Sequence, residues 1–218
     1  MTNPTIEGLQ KLKQYIPQDN IKCLDVGANI GQWVNAIREV YSAPDIFSIE
    51  VNPHCEGRLA SKQVKYKIIG LSDKVGQMEL KTFATKPRSK GASFYTQSDW
   101  RDKEIMKFEV PVSTLDVLFP EQTFDILKID VQGAELDVIN GGIEFLKRHQ
   151  YVLAEVALTD YNSGAPQASV VVARLQELGF YVVDCLEEHL YGDKIIQIDL
   201  LFSSKETKHN KKVLGKYV

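Results

Sequence analysis

The stretch K-C-L-D-V-G-A-N-I-G-Q, residues 22–32, indicates how this chain begins to fold. An apolar run closes on Asp25, and Gly27 and Gly31 follow within a few residues. Glycine at such a position permits a positive φ and a close approach of the backbone to a neighbour. The pattern therefore predicts a buried strand, a tight turn and a helix N-terminus, whose free N–H groups favour a nucleotide-like ligand.

Strand and helix patterns alternate along the rest of the chain. Helices are predicted at residues 5–16 (with Thr5 as N-cap), 32–40, 53–61, 134–146 and 168–178, and strands at residues 21–26, 45–50, 64–69, 108–112, 124–130, 151–156, 181–185 and 195–202. A return strand at 78–83 is expected to form a hairpin with the strand that begins at 64. The alternation predicts an α/β fold with a doubly wound, mostly parallel sheet. The connection 187–194 is too short for a crossover helix, so the last strand is expected to run antiparallel.

Two cofactor classes are compatible with a strand, a glycine turn and a helix. The dinucleotide fingerprint needs three glycines, but Asn29 and Gln32 stand at the second and third positions, which argues against a pyrophosphate. The spacing Gly27, Asn29, Gly31 instead matches a turn that carries the methionine end of S-adenosylmethionine, and asparagine tolerates positive φ better than most residues. A tight turn with a capped helix and no ligand is the structural alternative.

Acidic residues end the first two strands of the predicted sheet. Asp25 is placed to hold the ammonium group of the cofactor, directly or through water. Glu50, at the end of the second strand, is placed to accept hydrogen bonds from both ribose hydroxyls. A carboxylate at the end of an apolar strand needs such a reason, because burying it is otherwise unfavourable.

Several blocks in the first three quarters of the chain resemble one family. They are L-D-V-G-A-N-I-G, F-S-I-E-V-N-P, L-S-D-K-V-G, V-P-V-S-T-L-D-V-L and L-K-I-D-V-Q-G-A-E-L-D-V-I-N-G-G, in this order between residues 21 and 156. The chain is similar to the FkbM-type S-adenosylmethionine-dependent methyltransferases, which have the class I methyltransferase fold. Two positions depart from the family, which usually has Glu where Gln132 stands and Pro where Val51 stands.

The resemblance implies a Rossmann-like, mostly parallel seven-stranded sheet with an antiparallel last strand. It also implies S-adenosylmethionine as cofactor and O-methylation, often of a sugar or polyketide hydroxyl. The expected partner is therefore a small-molecule or glycan hydroxyl acceptor. Taken with the strand-end carboxylates, the predicted cofactor-binding residues are Asp25, Gly27, Ala28, Asn29, Gly31, Glu50, Val51, Asn52, Leu71 and Ser72.

Asp130 and Glu155 are the predicted catalytic residues. Asp130 ends a central strand, next to the expected methyl group, and is the candidate to orient or deprotonate the acceptor hydroxyl. A buried structural ion pair with Lys128, which shares its strand face, is the alternative. Asp130 and Glu155 could share a divalent metal, but the sequence offers no evident third oxygen ligand, so no metal site is predicted. The four histidines are expected at the surface, with His189 able to face the acceptor.

The composition limits the other function classes. The 218 residues, 44% of them hydrophobic, fit a single domain over residues 1–218, and the net charge of −3 gives no reason to expect nucleic acid or a membrane as partner. Three scattered cysteines and no apolar leader predict a cytoplasmic protein. The basic tail 203–218 is expected to be a solvated terminus.

The polar segment 84–107 is long for a loop and is the candidate lid over a substrate. It contains aromatic and basic residues suited to a sugar or anionic glycan, namely Phe94, Tyr95, Trp100, Lys86, Arg88, Lys90 and Arg101. A mobile loop with incidental aromatics is the alternative. Two other function classes stay open at this point: a nicotinamide-dependent oxidoreductase, and a cofactor-binding module without activity.

Overall fold

The computed structural model describes residues 3–88, 91–97, 100–160 and 162–204. Its helices are α1 (Pro4–Tyr15), α2 (Gln32–Val40), α3 (Glu56–Ala60, preceded by a 3-10 turn at Pro53–Cys55), α4 (Leu115–Leu118), α5 (Glu135–Asn140), α6 (Ile143–Leu146) and α7 (Ala168–Glu177). Its strands are β1 (Lys22–Val26), β2 (Asp45–Glu50), β3 (Lys65–Ile68), β4 (Gly70–Leu71), β5 (Gly76–Phe83), β6 (Thr96–Gln97), β7 (Ile105–Ser113), β8 (Ile126–Ile129), β9 (Tyr151–Ala157), β10 (Asn162–Ser163), β11 (Phe180–Tyr191) and β12 (Lys194–Ser204).

The main sheet has seven strands in the order β11-β12-β9-β8-β1-β2-β3. The pairs from β9 to β3 are parallel, whereas β12 is antiparallel to both of its neighbours, β9 and β11. The predicted doubly wound sheet with an antiparallel last strand is therefore confirmed. Chain order reverses between β1 and β8, which makes this edge of the sheet the expected ligand crevice.

Helices cover both faces of the sheet, and each face has its own apolar core. Side chains alternate between faces along a strand. Leu24 of β1 belongs to a core that includes α5, α6 and α7, whereas Cys23 belongs to a core formed with α1 and α2. The two cores together fix the sheet between its helical layers.

One face of the sheet changes from apolar to polar along the strands. On the side of α1 and α2, the half near the amino ends of the parallel strands carries apolar residues such as Cys23, Ile126 and Leu153. Two residues further along the same strands stand Asp25, Lys128 and Glu155. These charged side chains are buried, so this end of the sheet is polar and yet largely shielded from solvent.

The predicted hairpin between residues 64–69 and 78–83 is wrong. β5 pairs with β7, and β4 pairs with β7 from the other side, in a separate three-stranded sheet. β7 is nine residues long and begins before the predicted residue 108, which lets it lie between the two shorter strands.

Helix boundaries also differ from the prediction in three places. Asn3 rather than Thr5 is the N-cap of α1, since its side chain accepts from the backbone N–H of Thr5 and Pro4 opens the helix. The segment 53–61 starts as a 3-10 turn. The predicted helix 134–146 is divided into α5 and α6 at Gly141–Gly142, and Gly141 packs so close to Ser72 that a Cβ would lie 2.0 Å from its carbonyl oxygen.

Two further predictions need correction. His149 is buried rather than at the surface: its ring stacks on Phe145 at 3.8 Å between centroids and accepts from the backbone N–H of Phe124. The connection 187–194 is mostly strand, because β11 and β12 continue to a tight turn after Tyr191.

Lys90 and the basic tail that follows Ser204 lie outside the described residues. No helix in the described ranges is long and apolar enough to cross a membrane.

Candidate active site

A cavity of about 500 Å³ lies where the carboxyl ends of β1, β2, β8 and β9 meet. This volume is within the usual range for a small-molecule site, about 300–1,000 Å³. Its wall combines the glycine turn, the ends of these strands, the start of α1 and residues 91–94. The cavity is therefore at the edge that the strand order had indicated.

The turn after β1 has the backbone that its residue types allow. Gly27 and Gly31 have φ of 84° and 77°, and Asn29 has φ of 48°. A Cβ on Gly27 would lie 1.7 Å from the carbonyl oxygen of Asp130, so only glycine fits between β1 and the end of β8. The turn is thereby held against the strand that carries the candidate catalytic residue.

Glu50 ends β2 beside this turn and is only 4% exposed. The backbone N–H of Asn29 donates to Oε2 at 2.6 Å, and that of Asn52 donates to Oε1 at 2.8 Å. Burial raises the pKa of Glu50 to about 7, and the two backbone hydrogen bonds oppose this rise. The carboxylate is thus fixed in direction, lines the cavity and retains lone pairs for a ligand's hydroxyls.

Asp25, Lys128 and Asp130 form a row of alternating charges. Lys128 Nζ lies 3.5 Å from Asp25 Oδ1 and 3.1 Å from Asp130 Oδ2. Asp25 is fully buried, and its contact with Lys128 Nζ is long for a hydrogen bond. Burial raises the pKa of Asp25, whereas the two aspartates raise that of Lys128 against the opposing effect of its burial. The ion pair weighed from the sequence is present, although the side chain of Asp130 remains 30% exposed.

Glu155 lies further along the same polar face. Its Oε1 accepts from the amides of Gln132 at 2.6 Å and Gln197 at 2.8 Å, and its Oε2 lies 3.3 Å from His189 Nε2. The same ring nitrogen lies 2.9 Å from Asp199 Oδ1. Burial, followed by the charges of Asp130 and Asp199, raises the pKa of Glu155 well above its ordinary value. The hydrogen bond to Asp199 raises the pKa of His189.

The segment 84–107, where described, adds one side of the cavity wall. Residues 91–94 line the cavity, and Ser93 Oγ donates to the carbonyl oxygen of Gln132 at 2.6 Å. Trp100 is buried against Phe83, so this part of the segment packs on the domain. β6, within the segment, pairs with β10.

The structure brings most of the predicted site residues to one cavity. Those that line it are Gly27, Ala28, Asn29, Glu50, Val51, Leu71, Asp130 and Glu155. Four others are buried and do not line the cavity, namely Asp25, Gly31, Asn52 and Ser72. Asn52 nevertheless contacts the site, since its N–H holds Glu50.

The cavity-lining residues of the last hairpin that sequence reasoning missed are Glu187, Gln197 and Asp199. Gln197 and Asp199 of β12 and Glu187 and His189 of β11 line the cavity. A usable signal was present in I-I-Q-I-D-L-L, where polar residues recur at every second position of an apolar strand. His189 is predicted to be able to face the acceptor, but from a connection rather than from a strand, because the predicted strand ends at residue 185.

The fold is that of the class I methyltransferases, as comparison with solved structures shows. The chain is similar to a TehB-like SAM-dependent methyltransferase from Corynebacterium glutamicum, with a TM-score of 0.51, 11% identity and coverage of 92% of this chain and 89% of that one. It is also similar to the magnesium protoporphyrin IX methyltransferase of Synechocystis PCC 6803, solved with bound SAM, with a TM-score of 0.53, 8% identity and coverage of 92% and 78%.

The family model for the methyltransferase FkbM domain matches residues 25–182. The chain therefore belongs to the FkbM methyltransferase family and is a methyltransferase. None of the curated proteins matches it by sequence. The match begins at Asp25 and includes the glycine turn, Glu50, Asp130 and Glu155.

Proposed function

We propose that this chain is an S-adenosylmethionine-dependent O-methyltransferase that acts on a hydroxyl of a sugar, a glycan or a similar small hydroxylated metabolite. The observation that carries the proposal is the position of Glu50. Its carboxylate is fixed by two backbone N–H groups at the wall of the cavity, beside a turn that requires glycine. Family membership supports methyl transfer, and it argues against the nicotinamide-dependent oxidoreductase that the sequence had left open.

The residues around the cavity fit the proposed cofactor. Glu50 would accept from the ribose hydroxyls, and the backbone of Gly27 to Asn29 would border the methionine end. Asp25 is a fully buried carboxylate next to this end of the cavity, and Lys128 Nζ lies 3.5 Å from its Oδ1, so part of its charge is already offset by the chain itself. Because it does not line the cavity, its effect on the ammonium group would act through the field or through water.

The cofactor, when bound, supplies a methyl group that is already activated for transfer to a nucleophile. The chain's own work is then to position the acceptor oxygen in line and to take its proton. Asp130 lines the cavity, and its two oxygens are oriented by Lys128 at 3.1 Å and by the amide of Gln132 at 2.9 Å. Each carboxylate oxygen can accept more than one hydrogen bond, so these contacts leave Asp130 able to receive a hydroxyl proton.

The cavity wall supports a small hydroxylated acceptor. Glu155, Gln197 and Asp199 offer hydrogen-bond acceptors and donors on one side. Phe94, in the segment proposed as a lid, offers an apolar ring. Sugars present both kinds of surface, because hydroxyls alternate with apolar C–H faces.

Titration calorimetry of the purified chain with S-adenosylmethionine, S-adenosylhomocysteine and NAD tests the cofactor. Binding of the first two and not of NAD is expected, and the reverse pattern would refute the proposal. Mass spectrometry of glycans and hydroxylated metabolites incubated with enzyme and isotope-labelled donor then tests the acceptor. A cofactor that binds without any labelled product would favour the inactive module.

A further inference from the structure

Three neighbouring strands bring together a histidine and two carboxylates outside the proposed cofactor contacts. Asp199 of β12 is paired directly with Glu155 of β9, and His189 of β11 is paired with Gln197 of β12. One ligand atom from each of Glu155, His189 and Asp199 can be chosen so that all three lie within 4.8 Å of one another. The sheet ladder, rather than flexible loops, sets these positions, and preorganisation of this kind favours a binding site.

The separations of the three groups are those expected for ligands around one metal ion. Two ligands at right angles, each about 2.1 Å from a metal, lie roughly 3 Å apart. His189 Nε2 lies 2.9 Å from Asp199 Oδ1 and 3.3 Å from Glu155 Oε2. All three side chains line the cavity, so the remaining coordination positions of such an ion would be open to water or to an acceptor oxygen.

The neighbouring amides hold Glu155 in the orientation that a ligand needs. Gln132 and Gln197 both donate to Oε1, which leaves Oε2 directed at the ring of His189. Hydrogen-bonded partners of this kind orient metal ligands and strengthen binding. Gln132 is well placed for this, since a carboxylate at its position would lie against two others.

The charge around this cluster also favours a cation. Three carboxylates meet here, because Asp199 is paired with Glu155 across the strands and the amide of Gln132 bridges Glu155 and Asp130. Lys128, the neighbouring ammonium, is already in contact with Asp25 and Asp130. An added divalent cation would offset this negative charge more fully than the single proton that His189 can hold.

We propose that Glu155, His189 and Asp199 bind one divalent cation at the wall of the cavity. One imidazole and two carboxylates form a mixed nitrogen and oxygen donor set, which suits Mn²⁺ and similar first-row ions. The role of the ion rests on the proposed function: a hydroxyl bound to it has a lowered pKa, which would ease transfer of its proton to Asp130.

Electron paramagnetic resonance of Mn²⁺ tests the site without cofactor or acceptor. The full chain, freed of metal with EDTA and dialysed, is titrated with Mn²⁺, and loss of the free-ion signal reports binding. One equivalent is expected to bind. The variants His189→Gln and Asp199→Asn should each weaken binding by at least about tenfold, because even outer partners of a ligand are worth roughly 10–100-fold.

The matched control is His54→Gln, an exposed histidine whose ring packs edge-on against Phe108 away from the cavity. It should bind Mn²⁺ like the original chain, and circular dichroism melts should show that all variants fold. The proposal would be overturned if Mn²⁺ did not bind at millimolar concentration, or if the His189 and Asp199 variants bound it as well as the original chain. A proton on His189 would then be what links the two carboxylates. S-adenosylmethionine affinity is measured separately, so failure of the proposed function is distinguishable from failure of the metal site.

Discussion

Replacing Glu50 by glutamine separates two effects of this carboxylate, one on the cofactor and one on the fold. Burial raises the pKa of Glu50 from 4.5 to about 7. A difference of this size corresponds to about 3 kcal/mol of unfolding free energy. Because the pKa is higher in the folded protein, the contribution is complete below pH 4.5 and is lost as the pH rises through about 7.

Glutamine keeps the shape of Glu50 and cannot ionise. The unfolding free energy of the variant should therefore not show the fall that Glu50 causes as the pH rises. Its amide oxygen can accept from the N–H of Asn29 or of Asn52, but its NH₂ group then faces the other donor. The lost hydrogen bond costs about 1–3 kcal/mol. The variant should therefore be close to the original chain in stability at pH 8, and its stability relative to that chain should increase by about 3 kcal/mol between pH 4.5 and pH 8.

The Glu50→Gln variant should bind the cofactor more weakly than the original chain, even where its stability is equal. Loss of a charged acceptor to two ribose hydroxyls costs about 2–4 kcal/mol, which is roughly a 30- to 900-fold weaker affinity. In the original chain, binding should also weaken as the pH falls below about 7, since protonation removes the charge. Calorimetry gives the affinity, and denaturant unfolding at the two pH values gives the stability.

Glu135→Gln is the matched control for this experiment. Burial also raises the pKa of Glu135 to about 7, and its carboxylate accepts from the N–H groups of Val131 and Gly133, but it does not line the cavity. The Glu135→Gln variant should also become more stable relative to the original chain as the pH rises. Its cofactor affinity should stay near that of the original chain. If Glu50→Gln lowers stability and leaves cofactor affinity unchanged, Glu50 is structural and the cofactor site is misplaced.

Three further substitutions test the rest of the site. Asp130→Asn should slow methyl transfer by roughly 10²–10⁴-fold with a stability loss of only about 1–2 kcal/mol, because Lys128 retains a second aspartate; a stable variant with unchanged turnover would exclude Asp130 as the base. Gly27→Ala should unfold at a markedly lower temperature in a thermal melt, since its Cβ would lie 1.7 Å from a backbone oxygen at a φ of 84°, and an unchanged melt would contradict the turn geometry. Gln132→Glu should lower stability at pH 8 more than at pH 5, because it places a third carboxylate against Asp130 and Glu155; equal losses at both pH values would show that charge is not the cause.

The sequence alone determined the central part of the fold, and it also placed several residues of the candidate site at the ends of strands. The β1 strand, the glycine turn and α2 were predictable because their signals are local: an apolar run, residues that tolerate positive φ and a helical spacing. Glu50 followed from the same logic, as a charge that ends an apolar strand. The reversal of the last strand followed from the length of a connection.

Tertiary structure decided what depends on contacts between distant segments. The strand β5 pairs with β7 rather than with the expected strand 64–69, and β7 is long enough to pair with β4 as well. No local sequence pattern shows which of these strands will pair. Asp25 does not line the cavity, whereas Lys128, its partner on the neighbouring strand β8, does, and the sequence does not show which of the two is covered. The cluster of His189, Glu155 and Asp199 arises only when β11, β12 and β9 align in register, since strand pairing joins residues that are far apart in the chain.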